Sequence, residues 1–448
     1  MKVVELFAGV GGFRYGLESA SEKFSTRWFN QWEPSKSPRF QHAWSTYVHR
    51  FEADPVVALR AYTNADIRDV LRLENAVPRH DLLVAGFPCQ DFSVAKPLRL
   101  AKGLEGSKGS LWWSIVDVLS KRSKQPPRHV ILENVNRLLK SPAGIPGRDF
   151  GVILSCFDRL GYAVEWRVVN AADYGLPQRR KRLFIIAHER ETTQYLATRG
   201  RLVESLLETG VMARAFPCHA PSRDALMSEL RLNRNSFGID EGHLNQLGQR
   251  WFSGGVMCDG AIVTSQVSPV VESQSSLRDV LEHGEVPEEF FISDSEVVAW
   301  ELLKGAKRIT RTSRAGFRYE YAEGAVPFPD CLDLPSRTLV TGEGGKSPSR
   351  FKHVVRVPEG MYGEGRLRRL VPTELEALNG FPRDFTRFRW SEHGVVQNSP
   401  AQRSFFMGNA LVVGLVKRLG QELLSEKSVS QSAVRGPADL PNVVNNGS

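Results

Sequence analysis

Residues 3–12 read VVELFAGVGG. A β-branched run leads into Phe7 and Ala8, and glycines then stand at 9, 11 and 12. Apolar positions continue at Phe13, Leu17 and Ala20 with helical spacing. The stretch therefore reads as a strand, a glycine turn and a helix. Such a turn lets a ligand approach the backbone, and the helix start presents free N–H groups to it. The same glycines also suit a tight turn that holds nothing.

Further segments extend this pattern. TRWFNQW (26–32), DLLVA (81–85) and HVILENV (129–135) read as strands. LWWSIVDVLSK (111–121) and GVILSCFDRLG (151–161) read as helices, the second closed by a glycine. YAVEWRVVNA (162–171) and RLFIIAHE (182–189) read as the two strands of a closing ribbon. The alternation predicts an α/β fold, a Rossmann-like, mostly parallel sheet with helices on both faces and one antiparallel ribbon. Beyond residue 190 the alternation fades, and a helical segment returns at QRSFFMGNALVVGLVKRLGQELL (402–424). The expected organisation is a first domain at 1–190, a second, smaller one at 191–385, a return segment at 386–426 and a polar, mobile tail at 427–448.

At 448 residues the chain exceeds one ordinary core, which also favours two domains. No apolar run approaches the roughly 20 residues that cross a membrane. The N-terminus lacks the features of a signal peptide, so a cytoplasmic chain, or a nuclear one if eukaryotic, is expected. Five cysteines without CxxC spacing argue against a disulfide framework or a metal cluster. The net charge of +9 favours a polyanionic partner.

The cofactor end reads as a nucleoside site. NQWEPS (30–35) closes the second strand, where nucleotide-binding folds set a polar group on the ribose. Gln31 and Glu33 are the polar candidates, and Trp32 offers a stacking face. ADI (65–67) places Asp66 beside Ile67 as an acceptor for an exocyclic amine. No P-loop is present, so an adenosine cofactor without a polyphosphate fits better than ATP.

The chemical end begins with GFPCQDFS (86–93). Cys89 sits at the carboxyl end of a strand, where open α/β sheets bind ligands. Cysteines there are often only packing, but Gly86, Pro88 and Gln90 make a setting that packing does not need. In HVILENV an apolar run ends in a carboxylate, Glu133, that must find a partner, as a helix cap, an ion pair or a catalytic group. PQRRKRLF (177–184) alternates: Gln178, Arg180 and Arg182 point one way, Arg179 and Lys181 the other. A cysteine, a carboxylate and inward arginines beside an adenosine cofactor suggest covalent activation of an electron-poor ring.

In this order the segments resemble the DNA cytosine-5 methyltransferases. FAGVGG, NQWEPS and ADI resemble the S-adenosyl-L-methionine motifs, with Phe7 expected against the adenine. GFPCQDFS resembles the nucleophile motif, ENV the carboxylate motif and QRRKRLF the arginine motif. RRLVPTELEALNGFP (368–382) and MGNALVVGLV (407–416) resemble the last two, with Asn409 and Ala410 completing the cofactor pocket. The resemblance implies that Cys89 attacks C6 of a flipped cytosine, that Glu133 binds the ring, and that Arg182 with Arg180 steadies both. Gln178 joins this catalytic set, and S-adenosyl-L-homocysteine is the implied product.

It also implies a partner, double-stranded DNA, and a target-recognition region within 191–385. DFSVAKPLRLAKGLEGSKGS (91–110) resembles the mobile catalytic loop, with Gln90, Ser93 and Lys108 toward DNA. SRTLVTGEGGKSPSRFKH (336–353) resembles the recognition core, with Arg337, Thr338, Leu339, Arg350 and Lys352 toward DNA. His353, Lys304, Lys307, Arg308, Arg311, Arg314 and Arg318 are further candidate phosphate contacts. Many relatives carry glutamate at the position of Gln31, which leaves the ribose contact open between Gln31 and Glu33. The implied role is modification of one short sequence by a monomer, paired with a cognate restriction endonuclease without a stable complex, in a bacterium or phage. A tRNA methyltransferase and a non-catalytic DNA-binding regulator are the alternatives.

Overall fold

A computed structural model describes residues 1–34, 41–52, 64–87, 111–121, 125–141, 145–219, 227–232, 251–312 and 317–425. The strands in chain order begin with β1 (Lys2–Leu6), β2 (Ser25–Asn30), β3 (Leu82–Gly86), β4 (His129–Asn134), β5 (Tyr162–Asn170) and β6 (Lys181–Glu189). Then come β7 (Cys218–His219), β8 (Met227–Arg231), β9 (Gly254–Cys258) and β10 (Ala261–Ser265). One nine-stranded sheet takes the order β2-β1-β3-β4-β6-β5-β9-β10-β8.

The sheet has two halves. β2, β1, β3 and β4 run parallel, joined by crossovers, and their strands are buried on both faces. From β4 onward every pairing is antiparallel. The sequence predicts one closing ribbon; the sheet instead continues through β9, β10 and β8. The continuation depends on a glycine. A Cβ at Gly255 would overlap the indole of Trp166, the residue paired with it on β5. Alternating side chains on β1, β3 and β4 feed two apolar layers. Val3, Val84 and Ile131 pack under the helices Gly12–Ala20 and Val413–Leu424. Val4, Leu83 and Val130 pack under Leu111–Lys121 and Arg148–Arg159. The helix at 111–121 has the bounds its apolar periodicity predicts.

The return segment belongs to this core. Helix Val413–Leu424 buries Val413, Leu415, Val416, Leu419 and Leu423, each worth roughly 1.5–3 kcal/mol. Gly16 allows its close approach: a Cβ there would sit 2.7 Å from Val416 Cβ. The rest of the chain adds small antiparallel ribbons, among them β11 (Ser268–Pro269) with β7 and, further on, β12 (Lys307–Thr312) with β13 (Arg318–Glu323). Among the described residues no helix is long and apolar enough to cross a membrane.

Candidate active site

The carboxyl ends of the four parallel strands open onto one cavity of about 370 Å³. That volume lies within the roughly 300–1,000 Å³ usual for small-molecule sites. Its floor is the turn after β1. Phe7, Gly9 and Gly11 all hold positive φ, at 55°, 56° and 88°. Phe7 carries a side chain into the left-handed region, at a cost of about 1–2 kcal/mol. Backbone strain of this kind clusters at functional sites. The turn is held by Ala8 N–H to Asn30 O at 3.0 Å and Gly11 N–H to Ala8 O at 2.9 Å. Gly9 N–H donates to Gln31 Oε1 at 2.7 Å.

Phe7, Ala8, Gly9, Gly12, Gln31, Trp32, Glu33, Asp66, Ile67, Asn409 and Ala410 all line the cavity. Gly11 does not. A Cβ there would overlap the Phe51 ring, so its glycine serves packing and turn geometry. Asp66 caps the short helix Ile67–Val70 and accepts from Arg68 N–H at 2.9 Å. The Arg68 guanidinium also binds both carboxylate oxygens, at 2.9 and 2.6 Å, and holds the carboxyl below its usual range. An exocyclic amine at Asp66 therefore has to share an oxygen with Arg68. Arg68 and Phe405 line the cavity too, and sequence reasoning missed both. Nothing in the spacing singles out Arg68, and Phe405 carries no periodic signal that separates it from core phenylalanines.

Glu133 enters from the end of β4, where it pairs in register with Gly86 of β3. Arg182 reaches it from β6, with Nε 3.0 Å from Oε1. The next residue, Asn134, is buried and donates to Phe87 O at 3.3 Å. Phe87 is the last described residue before Cys89. Cys89, Pro88, Gln90, Ser93 and Lys108 lie outside the described residues, as do Arg314 and the tail at 427–448.

The alternation in QRRKRLF is present: Gln178 and Arg180 are buried, Arg179 and Lys181 exposed. The two buried side chains act as bolts. Gln178 is outside the cavity lining; it donates to Asn379 Oδ1 at 2.8 Å and Leu378 O at 3.2 Å, and accepts from Leu339 N–H at 3.1 Å. Arg180 lines the cavity while donating to Leu339 O at 3.3 Å and Gly408 O at 3.0 Å. Arg180 ties the approach to β6 to Gly408 of the return segment, and Gln178 ties it to Leu378 and Asn379 just before that segment.

The cations expected on phosphate are mostly used inside the fold. Arg337 grips Asp330 at 2.6 Å and donates to the carbonyls of Phe351 and Lys352. Lys352, 7% exposed, donates to Gly345 O at 2.7 Å and Ser347 O at 2.5 Å. Arg350 donates to Gly305 O at 2.8 Å and pairs with Glu323 at 3.2 Å. Leu339 and His353 are buried, and His353 pairs with Glu343 at 2.9 Å. Lys304 is buried against Lys352 O at 2.7 Å, and burial pushes its ammonium down to about 8. Thr338 donates to Arg179 O at 2.7 Å. The sequence shows these charges but not their neighbours, so solvent-facing and internal cations look alike in it. Lys307, Arg308 and Arg318 instead stand on the β12–β13 ribbon.

Residues 1–425 match the model of the C-5 cytosine-specific DNA methylase family. The chain is 37% identical over 432 residues to the type II methyltransferase M.Sau3AI of Staphylococcus aureus, spanning 96% of this chain and 97% of that protein. It is 32% identical over 186 residues to the type II methyltransferase M.HhaI of Haemophilus parahaemolyticus, 42% of this chain and 48% of that one. Its fold is similar to that of the Dnmt2 methyltransferase of S. pombe, with a TM-score of 0.56 at 14% identity, covering 95% and 98% of the two chains. The chain belongs to the C-5 cytosine-specific DNA methylase family and is a methyltransferase enzyme.

Proposed function

We propose that the chain methylates C5 of a cytosine in one short duplex sequence, using Cys89 as the nucleophile and S-adenosyl-L-methionine as the donor. The observation that carries this reading is the meeting, in one cavity, of a nucleoside-type floor and the Glu133–Arg182 pair. The floor fits the cofactor: left-handed glycines, a ring at Phe7, and polar groups at Gln31, Glu33 and Asp66. When bound, S-adenosyl-L-methionine supplies an electrophilic methyl group and leaves as S-adenosyl-L-homocysteine. Asn409 and Ala410 close its other end.

The chain's own residues do the rest. The cytosine leaves the stack, at a cost of a few kcal/mol, because C6 is out of reach inside a duplex. The Cys89 thiolate forms a bond to C6. Glu133 binds N3 and the exocyclic amine, which lets the ring accept the electron pair and makes C5 nucleophilic. Arg182 holds Glu133 in place and adds positive charge beside the ring. After C5 is methylated it loses its proton to a base, and the Cys89–C6 bond breaks to restore the aromatic ring and the thiolate.

Residues 191–385 are proposed to hold target recognition, attached to the catalytic half through β8–β10, with 386–426 as the return segment. The type II methyltransferases among the relatives favour a modification enzyme of a restriction system. We propose that it works in a bacterial cytoplasm as a monomer. The test is methyl transfer from labelled S-adenosyl-L-methionine to duplex DNA and to bulk tRNA, with Cys89→Ala beside the natural chain. Label on duplex that maps to 5-methylcytosine in one sequence, and is lost in Cys89→Ala with DNA binding retained, is the expected result. Label on tRNA alone would overturn it.

A further inference from the structure

Among the described residues the ribbon β12–β13 pairs only with itself: Lys307 opposes Glu323, Arg308 Ala322, Thr310 Glu320 and Thr312 Arg318. One face is fully described, and Arg308, Thr310, Thr312, Arg318, Glu320 and Ala322 on it are all exposed. On the opposite face Ile309 is 44% exposed, while Lys307 and Glu323 at the root are half-buried. A two-stranded ribbon is marginal by itself in water, and this one leaves its described face open to a partner.

Its root is unusually firm. Arg350 donates to Leu303 O and Gly305 O just before β12 and to Gly324 O just after β13, and its Nε pairs with Glu323. One guanidinium thus closes both ends of the ribbon. The segment that carries Arg350 also packs on the cavity wall. A Cβ at Gly344 would sit 2.7 Å from Ala401 Cα, on the helix Pro400–Asn409 that lines the cavity.

We propose that the β12–β13 ribbon enters the major groove of duplex DNA and that Arg308, Thr310, Thr312 and Arg318 read base edges there. This rests on the DNA-methylating reading above. Two strands lie about 4.8 Å apart, and six residues of strand extend about 20 Å. The major groove, about 12 Å wide, admits a two-stranded ribbon. Arginine forks match the O6 and N7 of guanine, and threonine hydroxyls suit several bases. The described face carries two arginines against one carboxylate, the balance a groove between phosphates favours. Internal use of Arg350 fits the same division: it holds the root of the reader, and the ribbon reads.

The test uses the full chain. The methylated sequence is first mapped at base resolution. Transfer rates are then measured on that duplex and on duplexes with each position changed, for the natural chain and for Arg308→Ala, Arg318→Ala and Arg308→Lys. Each alanine variant is expected to lose roughly 5- to 150-fold of its preference at one or two positions, with cofactor affinity and melting temperature unchanged. Arg308→Lys keeps the charge but not the fork, so it should lose the same preference. Unchanged preferences would overturn the assignment. So would an equal loss on all duplexes with a shallower salt dependence, which marks phosphate contacts. Label on tRNA and on no duplex would remove the functional reading as well, and so is told apart from a failure of the ribbon alone.

Discussion

Arg182 and Glu133 form an ion pair across neighbouring antiparallel strands, Nε to Oε1 at 3.0 Å, with side chains 18% and 14% exposed. Each therefore depends on the other for its place. Arg182→Ala and Glu133→Ala are each expected to lower methyl transfer by on the order of 10²–10³-fold. Because they act as a unit, the double variant should be little worse than either. Single-turnover rates on all four proteins give the coupling, and strictly multiplicative losses would contradict it.

Gln31 holds the turn after β1 through Gly9. Gln31→Ala leaves that N–H without its acceptor, and S-adenosyl-L-homocysteine binding is expected to weaken by about 5-fold, on the order of 1 kcal/mol. Gln31→Glu keeps an acceptor and should bind at least as well as the natural chain. Titration calorimetry reads both, and an unchanged dissociation constant for Gln31→Ala would remove Gln31 from the site.

Gln178 reaches Leu378, Asn379 and Leu339, not the cavity. Gln178→Ala strands several buried groups, and a loss of about 1–3 kcal/mol of stability is expected. Urea unfolding measures it. A variant of full stability but without transfer activity would instead make Gln178 a catalytic residue.

Glu5 lies wholly buried two residues before Phe7, and Tyr47 O–H donates to its Oε2 at 2.9 Å. Burial pushes its carboxyl up to about 8, against the opposing pull of Tyr47 and Arg14. The folded state thus holds a proton that the unfolded state has released above the ordinary carboxylate range. This contribution is fully present below that range and is lost as pH rises toward about 8. The decline is on the order of 1 kcal/mol per pH unit. Glu5→Gln keeps an acceptor for Tyr47 and cannot titrate, so its unfolding midpoint should fall less than the natural chain's between about pH 5.5 and about pH 8. Parallel declines would show that other groups set the dependence.

The parallel strands, the glycine turn and the carboxylate at the end of β4 were all legible in the sequence. Their signals are local: apolar runs of strand length, glycines at a strand end, and a charge closing an apolar run. The inward and outward sides of QRRKRLF were legible too, because alternation is a property of any extended chain. Three things needed the tertiary structure. The extension of the sheet through β8–β10 turns on Gly255 admitting the Trp166 ring, a contact between residues 89 positions apart. The bolts at Gln178 and Arg180 depend on segments 159 to 228 residues away. And whether an arginine meets solvent or a buried carbonyl is decided by what packs around it: Arg350 and Arg308 are the same residue in the sequence, yet one roots the ribbon and the other stands exposed upon it.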